Sequence, residues 1–88
     1  MKKTQIQLRR EIDRARQHVK LGGIYVHYKD SSHTYEVVDL AVNTEQDTIW
    51  VVYTSLYDER LTFLRSIDEW CDDVEKDGKI MRRFTELE

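Results

Sequence analysis

The sequence predicts an α+β domain, mainly β, with an N-terminal amphipathic helix followed by a small five-stranded antiparallel, barrel-like body and one short helical turn near residues 66–71. Three observations carry that reading. Apolar residues recur at helical spacing only as far as Gly22-Gly23, β-branched and aromatic runs take over from Ile24, and Asp77-Gly78 supplies a hairpin turn late in the chain. The length fits one domain over 1–88, with the helix in 1–21 and the body in 22–88.

Thr4 followed by Gln7 has the form of a capping box, in which each side chain satisfies a backbone donor at the opening of a helix, so the helix starts near Gln5. Leu8, Ile12, Ala15 and Val19 then follow at spacings of four, three and four. At about 100° per residue they form one narrow stripe, which must be buried against the chain's own body or against another chain. Arg9, Arg16 and Lys20 project to one flank of the stripe. Glycine adopts the left-handed conformation that ends helices at little cost, so Gly22 and Gly23 bound a helix expected over residues 4–20.

Ile24–Tyr28, Thr34–Val42, Thr48–Thr54 and Leu61–Arg65 read as four strands, because β-branched and aromatic side chains fit a pleated, half-buried surface. Asp30-Ser31-Ser32 and Asn43–Asp47 supply turns, their side chains bonding local backbone in place of a ladder partner. Asp77-Gly78 suits a type I′ turn and joins Val74–Lys76 to a fifth, closing strand over Lys79–Phe84. Between the fourth and fifth strands, Ser66 and Glu69 repeat the capping pattern, with Ile67, Trp70, Cys71 and Val74 at helical spacing. Five short strands leave open sheet edges, and the stripe of the N-terminal helix is suited to cover one opening.

Charge divides the chain. Residues 1–21 hold seven Lys and Arg against Glu11 and Asp13, a balance of +5, and a total of −3 leaves −8 for residues 22–88. A basic helix beside an acidic body favours an intramolecular or intersubunit contact over nucleic acid, since the body repels a polyanion. Cys71 is the sole cysteine, which excludes an internal disulfide. With no leader and no apolar run of spanning length, the expected setting is cytoplasmic, with no membrane contact.

From Gly23 onward the order of residues resembles the domain of unknown function 1653 family of bacteria and phages. The resemblance rests on Gly23 to Lys29, Tyr35-Glu36-Val37, Ala41 with Thr44-Glu45, Val51-Val52-Tyr53, Leu56-Tyr57, Arg65, Asp77-Gly78-Lys79 and Arg83-Phe84. It implies a small β-rich domain of SH3-like or barrel type and supplies no activity. The family usually has His where Asn43 stands, Gly where Asp58 stands, prolines where Ser66 and Arg82 stand, and Trp where Phe63 stands. The helix at 4–20 lies outside the resemblance.

Histidines 18, 27 and 33 and Cys71 lack the spacing of a zinc site, so no metal is expected. Six carboxylates between Asp68 and Asp77 fit helix-opening, turn and solvated positions better than a catalytic pair, and no serine sits in a nucleophile elbow. Strand alternation sets Tyr25, His27 and Lys29 on one face. Arg65 interrupts an apolar strand and has to reach solvent, an acid or a ligand. The leading reading is a non-enzymatic binding module, with no cofactor and no catalytic residue. Tyr25, His27, Lys29, Tyr57 and Arg65 would line a site for a small anionic or nucleotide-like ligand, or a peptide. Two alternatives stay open. One is a homo-oligomeric, protein-interaction or inhibitory protein working through Leu8, Ile12, Ala15 and Val19, and the other is nucleic-acid binding through Arg9, Arg16 and Lys20.

Overall fold

Residues Thr48–Ser55 alternate between two environments: Ile49, Val51, Tyr53 and Ser55 are buried, while Thr48, Trp50, Val52 and Thr54 are half-buried. This period of two is that of a strand with one face on a core. In the computed structural model, which describes residues 2–87, that segment is one of four strands that follow each other as neighbours. They are β1 (Ile24–His27), β2 (Asp30–Asn43), β3 (Thr48–Ser55) and β4 (Thr62–Ser66). Helix α1 (Gln5–Ala15) precedes them, and helix α2 (Ile67–Trp70), hairpin β5 (Asp73–Lys76) and β6 (Lys79–Arg82), and strand β7 (Phe84–Glu86) follow. The main sheet is antiparallel with order β4-β3-β2-β1-β7, and β5-β6 forms a separate two-stranded sheet.

The fold is thus α+β and mainly β, with five strands in its main sheet, but the fifth strand is not the one expected. Lys79–Phe84 divides at Arg83, whose N–H donates to the Asp72 carbonyl while its carbonyl accepts from the Tyr28 N–H. The chain leaves the hairpin there and enters the main sheet beside β1. The hairpin itself turns as predicted, with Asp77 at φ 54° and Gly78 at φ 77°, both in the left-handed region a type I′ turn requires.

No ladder joins β4 to β7, so the sheet is curled and open rather than a closed barrel. Its two edges meet instead through side chains around a shared core. Val37 and Val51 are fully buried, with Leu40, Ile49, Tyr25, Tyr53, Trp70 and Phe84 around them. A register shift between Val37 and Asp39 lets Val37 and Leu40 both face inward and turns Val38 out. Strand β2 also begins four residues early, at Asp30. The register jumps from Val26↔Thr34 to His27↔Asp30, so Ser31, Ser32 and His33 bulge from the strand and do not form the connecting turn.

Helix α1 opens with both bonds of the capping box: Thr4 Oγ1 accepts the Gln7 N–H at 3.1 Å, and Gln7 Oε1 accepts the Thr4 N–H at 2.8 Å. The chain before it is tied to the β2–β3 turn, where the Asp47 carboxylate accepts the N–H groups of Lys2 and Lys3. The helix stops at Ala15 and does not run to residue 20. The ladder tightens there, the Gln17 N–H donating to the Arg14 carbonyl at 3.2 Å and the His18 N–H to the Ala15 carbonyl at 2.9 Å, and beyond it the Lys20 N–H donates at 3.0 Å to the Tyr25 hydroxyl while Val19 turns into the core. Gly23 packs tightly beneath this turn, where an added Cβ would lie 3.0 Å from the Lys20 carbonyl oxygen. Leu8, Ala15 and Val19 are buried and Ile12 packs beside them, so the stripe lies against its own body.

The β3–β4 connection holds Asp58 at φ 51° and Arg60 at φ 52°. Such conformations cost a residue with a Cβ free energy that glycine avoids. Asp58→Gly is expected to raise stability by about 0.5–1 kcal/mol in urea unfolding. A loss of stability would contradict the assigned turn.

Candidate functional site

The concave face of the sheet collects aromatic rings because inward positions on neighbouring strands fall side by side. Trp70, delivered by α2, stacks on Phe84 of β7 with centroids 3.7 Å apart and planes 7° from parallel. Tyr25 and Tyr53 meet Trp70 edge-on at 5.3 and 4.9 Å. Trp70 covers one face of Phe84, and the guanidinium carbon of Arg65 stands 5.4 Å from the centre of the same ring. That is cation–π range, and the charge comes from the opposite edge of the sheet.

Local pairing explains how a charge reaches the concave face. Strand β4 pairs Phe63 with Tyr53 and Arg65 with Val51, both inward residues of β3. The Arg65 stem therefore lies along apolar surface and its head reaches the rim. Nη1 donates to Glu69 Oε2 at 3.3 Å, whereas Nε is covered and has no hydrogen-bond partner among the described residues. On the facing strand, His27 pairs directly with Phe84, their rings 4.9 Å apart and 75° inclined. Its Nδ1 accepts the Lys29 N–H at 3.3 Å, which places the proton of the neutral ring on Nε2. Burial, then the positive charges of Arg65, Lys29 and Arg83, push the His27 pKa below its ordinary value.

His27, Lys29 and Arg65 line a pocket of about 250 Å³ with Tyr35, Tyr53 and Phe84. Asp30 and His33 complete its wall. Asp30 Oδ1 accepts the Ser32 hydroxyl at 2.6 Å and the Ser32 N–H at 2.9 Å, bonds that hold its carboxyl below the usual range. Its Oδ2 is 3.5 Å from His33 Nδ1. The His33 ring stacks on Tyr57 at 3.9 Å, and the Tyr57 hydroxyl bonds that of Tyr35 at 2.7 Å. Burial, and then that bond, raise the Tyr35 pKa, so its hydroxyl keeps its proton.

Of the five residues expected in one site, the fold brings His27, Lys29 and Arg65 together. Tyr57 stands behind the wall, fixing His33 and Tyr35. Tyr25 shares the face of His27 but lies in the core, its hydroxyl engaged by Lys20. Sequence reading missed Asp30, His33, Tyr35, Tyr53 and Phe84 as pocket residues. The β1–β2 hairpin pairing of Tyr25 with Tyr35 was a usable signal for Tyr35, whereas the approach of Phe84 depends on long-range pairing.

Elsewhere, Arg9 is exposed on α1, Arg16 is exposed just past its end, and Lys20 Nζ is 4.0 Å from Glu86. A wider groove of about 570 Å³ runs between α1 and the sheet, but its walls mix Lys3, Arg14 and His18 with Glu11 and Asp68, and Lys3 is already paired with Glu11 at 2.9 Å. No group of three or more His, Cys, Asp or Glu among the described residues is placed to hold a metal ion. No described helix is long and apolar enough to cross a membrane.

Fold and pocket together define a small curled-sheet domain with an N-terminal helix packed against its core. The profile of the family described as "Protein of unknown function (DUF1653)" matches residues 23–86, and the chain belongs to that family. A crystal structure of a DUF1653 protein from Bordetella bronchiseptica is similar, with a TM-score of 0.69 and 30% identity over 81% of this chain and 90% of that one. None of the curated proteins matches the chain. Every pocket residue falls within the matched segment, and α1 falls outside it.

The lowered pKa of His27 links the site to stability. An unfolded imidazole titrates at about 6.5 and the folded one below it, so between the two values the unfolded chain binds more protons. This contribution to stability is present above about pH 6.5 and is lost as pH falls through that window. Urea unfolding at about pH 7.5 and about pH 5.5 should show a larger acid-induced loss for the wild type than for His27→Gln. Equal losses would contradict the assignment.

Proposed function

We infer that the protein is a non-enzymatic binding module that takes a small anionic ligand in the pocket between β1, β4 and β7. The observation that carries this reading is Arg65, a guanidinium seated over Phe84 whose Nε is covered and unpartnered. Among the described residues Nη1 is the one guanidinium nitrogen with a hydrogen bond, and the side chain is 26% exposed, so an anion in the pocket meets a fixed positive charge with donors to spare. Lys29 adds a second cation at the turn, and neutral His27 adds a donor beside it. An arriving anion also raises the proton affinity of His27, so binding strengthens in mild acid.

Thermal unfolding with inorganic phosphate, acetate, benzoate and AMP tests the reading. A ligand at about 100 times its Kd stabilises the folded state by about 2.7 kcal/mol. At least one of these anions is expected to stabilise the wild type, less so at high salt, and to lose its effect in Arg65→Gln. An unfolding temperature indifferent to all four would contradict the proposal.

A further inference from the structure

We propose that the ligand of this pocket is a flat monoanion of the aromatic carboxylate class, and not a polyphosphate. The proposal rests on the anion-binding reading above and adds charge, size and shape to it.

Charge sets the first limit. Lys29 and Arg65 bring two positive charges to the pocket, Asp30 brings one negative charge, and Glu69 stands against Arg65 Nη1 at 3.3 Å. Arg83, whose charge also acts on His27, makes three positive charges around the pocket against the two of Asp30 and Glu69, and the one left over is matched by one ligand charge. A triphosphate would crowd several negative charges beside Asp30 and Glu69, and like charges within about 4–6 Å disfavour each other's ionised form.

Space sets the second. A pocket of about 250 Å³ is smaller than the ~300–1,000 Å³ that hold drug-sized molecules, so the ligand has the size of one or two fused rings. Shape follows from the layers beneath. Trp70 and Phe84 lie 7° from parallel, and the planar Arg65 group stands over Phe84. Another flat group continues that stack, flanked by the rings of Tyr35 and Tyr53. A carboxylate meets the remaining guanidinium donors with two coplanar oxygens, the geometry of a bidentate pair.

Amide NMR titrations of the full chain with 2-naphthoate and with ATP, at equal concentration and low salt, test the proposal. Naphthoate is expected to shift the signals of His27, Lys29 and Arg65, with at least tenfold weaker binding in Lys29→Met, a change at an exposed turn, and in Arg65→Gln. ATP is expected to leave those signals in place. Tighter binding of ATP than of naphthoate at these residues, sensitive to both substitutions, would overturn the monoanion class and leave the anion-binding reading standing. Silence from naphthoate, ATP and inorganic phosphate alike would overturn both.

Discussion

The stack of Trp70 on Phe84 is the interaction on which the rest of the structure depends. Phe84 opens a strand of only three residues, and Trp70 ends a helix of four. Neither element would hold its place by backbone bonds alone, since short helices and edge strands are marginal in water. Trp70 and Phe84, 2% and 4% exposed, bind the two ends of the curled sheet across the core. Offset or edge-on aromatic pairs contribute about 0.5–1.5 kcal/mol beyond the area they bury, and Tyr25, Tyr53 and Tyr35 add edge-on contacts around this one. The same stack is core on the Trp70 side and pocket floor on the Phe84 side. Packing and site are therefore coupled through one ring.

The opposed charges of helix and body play a smaller part than their sizes suggest. Only one ion pair joins the helical region to the sheet among the described residues, Lys20 with Glu86 at 4.0 Å, and it is largely exposed. Exposed pairs contribute about 0–1 kcal/mol. What seats the N-terminal segment is the buried stripe, the Asp47 carboxylate on two backbone donors, and the Tyr25 hydroxyl on a third. The helix extends the family's sheet by covering one end of its core, and the cationic pocket lies among other residues.

Much of the local structure was legible because its causes are local. The capping box, the alternation of Thr48–Ser55 and the Asp77-Gly78 turn each involve residues a few positions apart. The features that were not legible have distant causes. The turn that follows α1 is held by a hydroxyl five residues beyond Lys20, and the break at Arg83 depends on Tyr28 and Asp72. For the site, alternation correctly set Tyr25 and His27 on one face, yet it cannot say how far along that face the core ends. Tyr25 fell on the core side of that limit and His27 on the pocket side. Arg65 was legible through its incongruity in an apolar strand, whereas Phe84, an ordinary apolar residue, gave no such sign.

Arg65 sits over the Phe84 ring with its Nε–H covered and unpartnered, and the chemical shift of that proton reports on the arrangement. A proton above an aromatic face is shielded. An upfield Arg65 Nε–H signal with slowed solvent exchange is expected, returning toward the ordinary position in Phe84→Leu. A signal at the ordinary arginine position, in fast exchange and unchanged by Phe84→Leu, would contradict it.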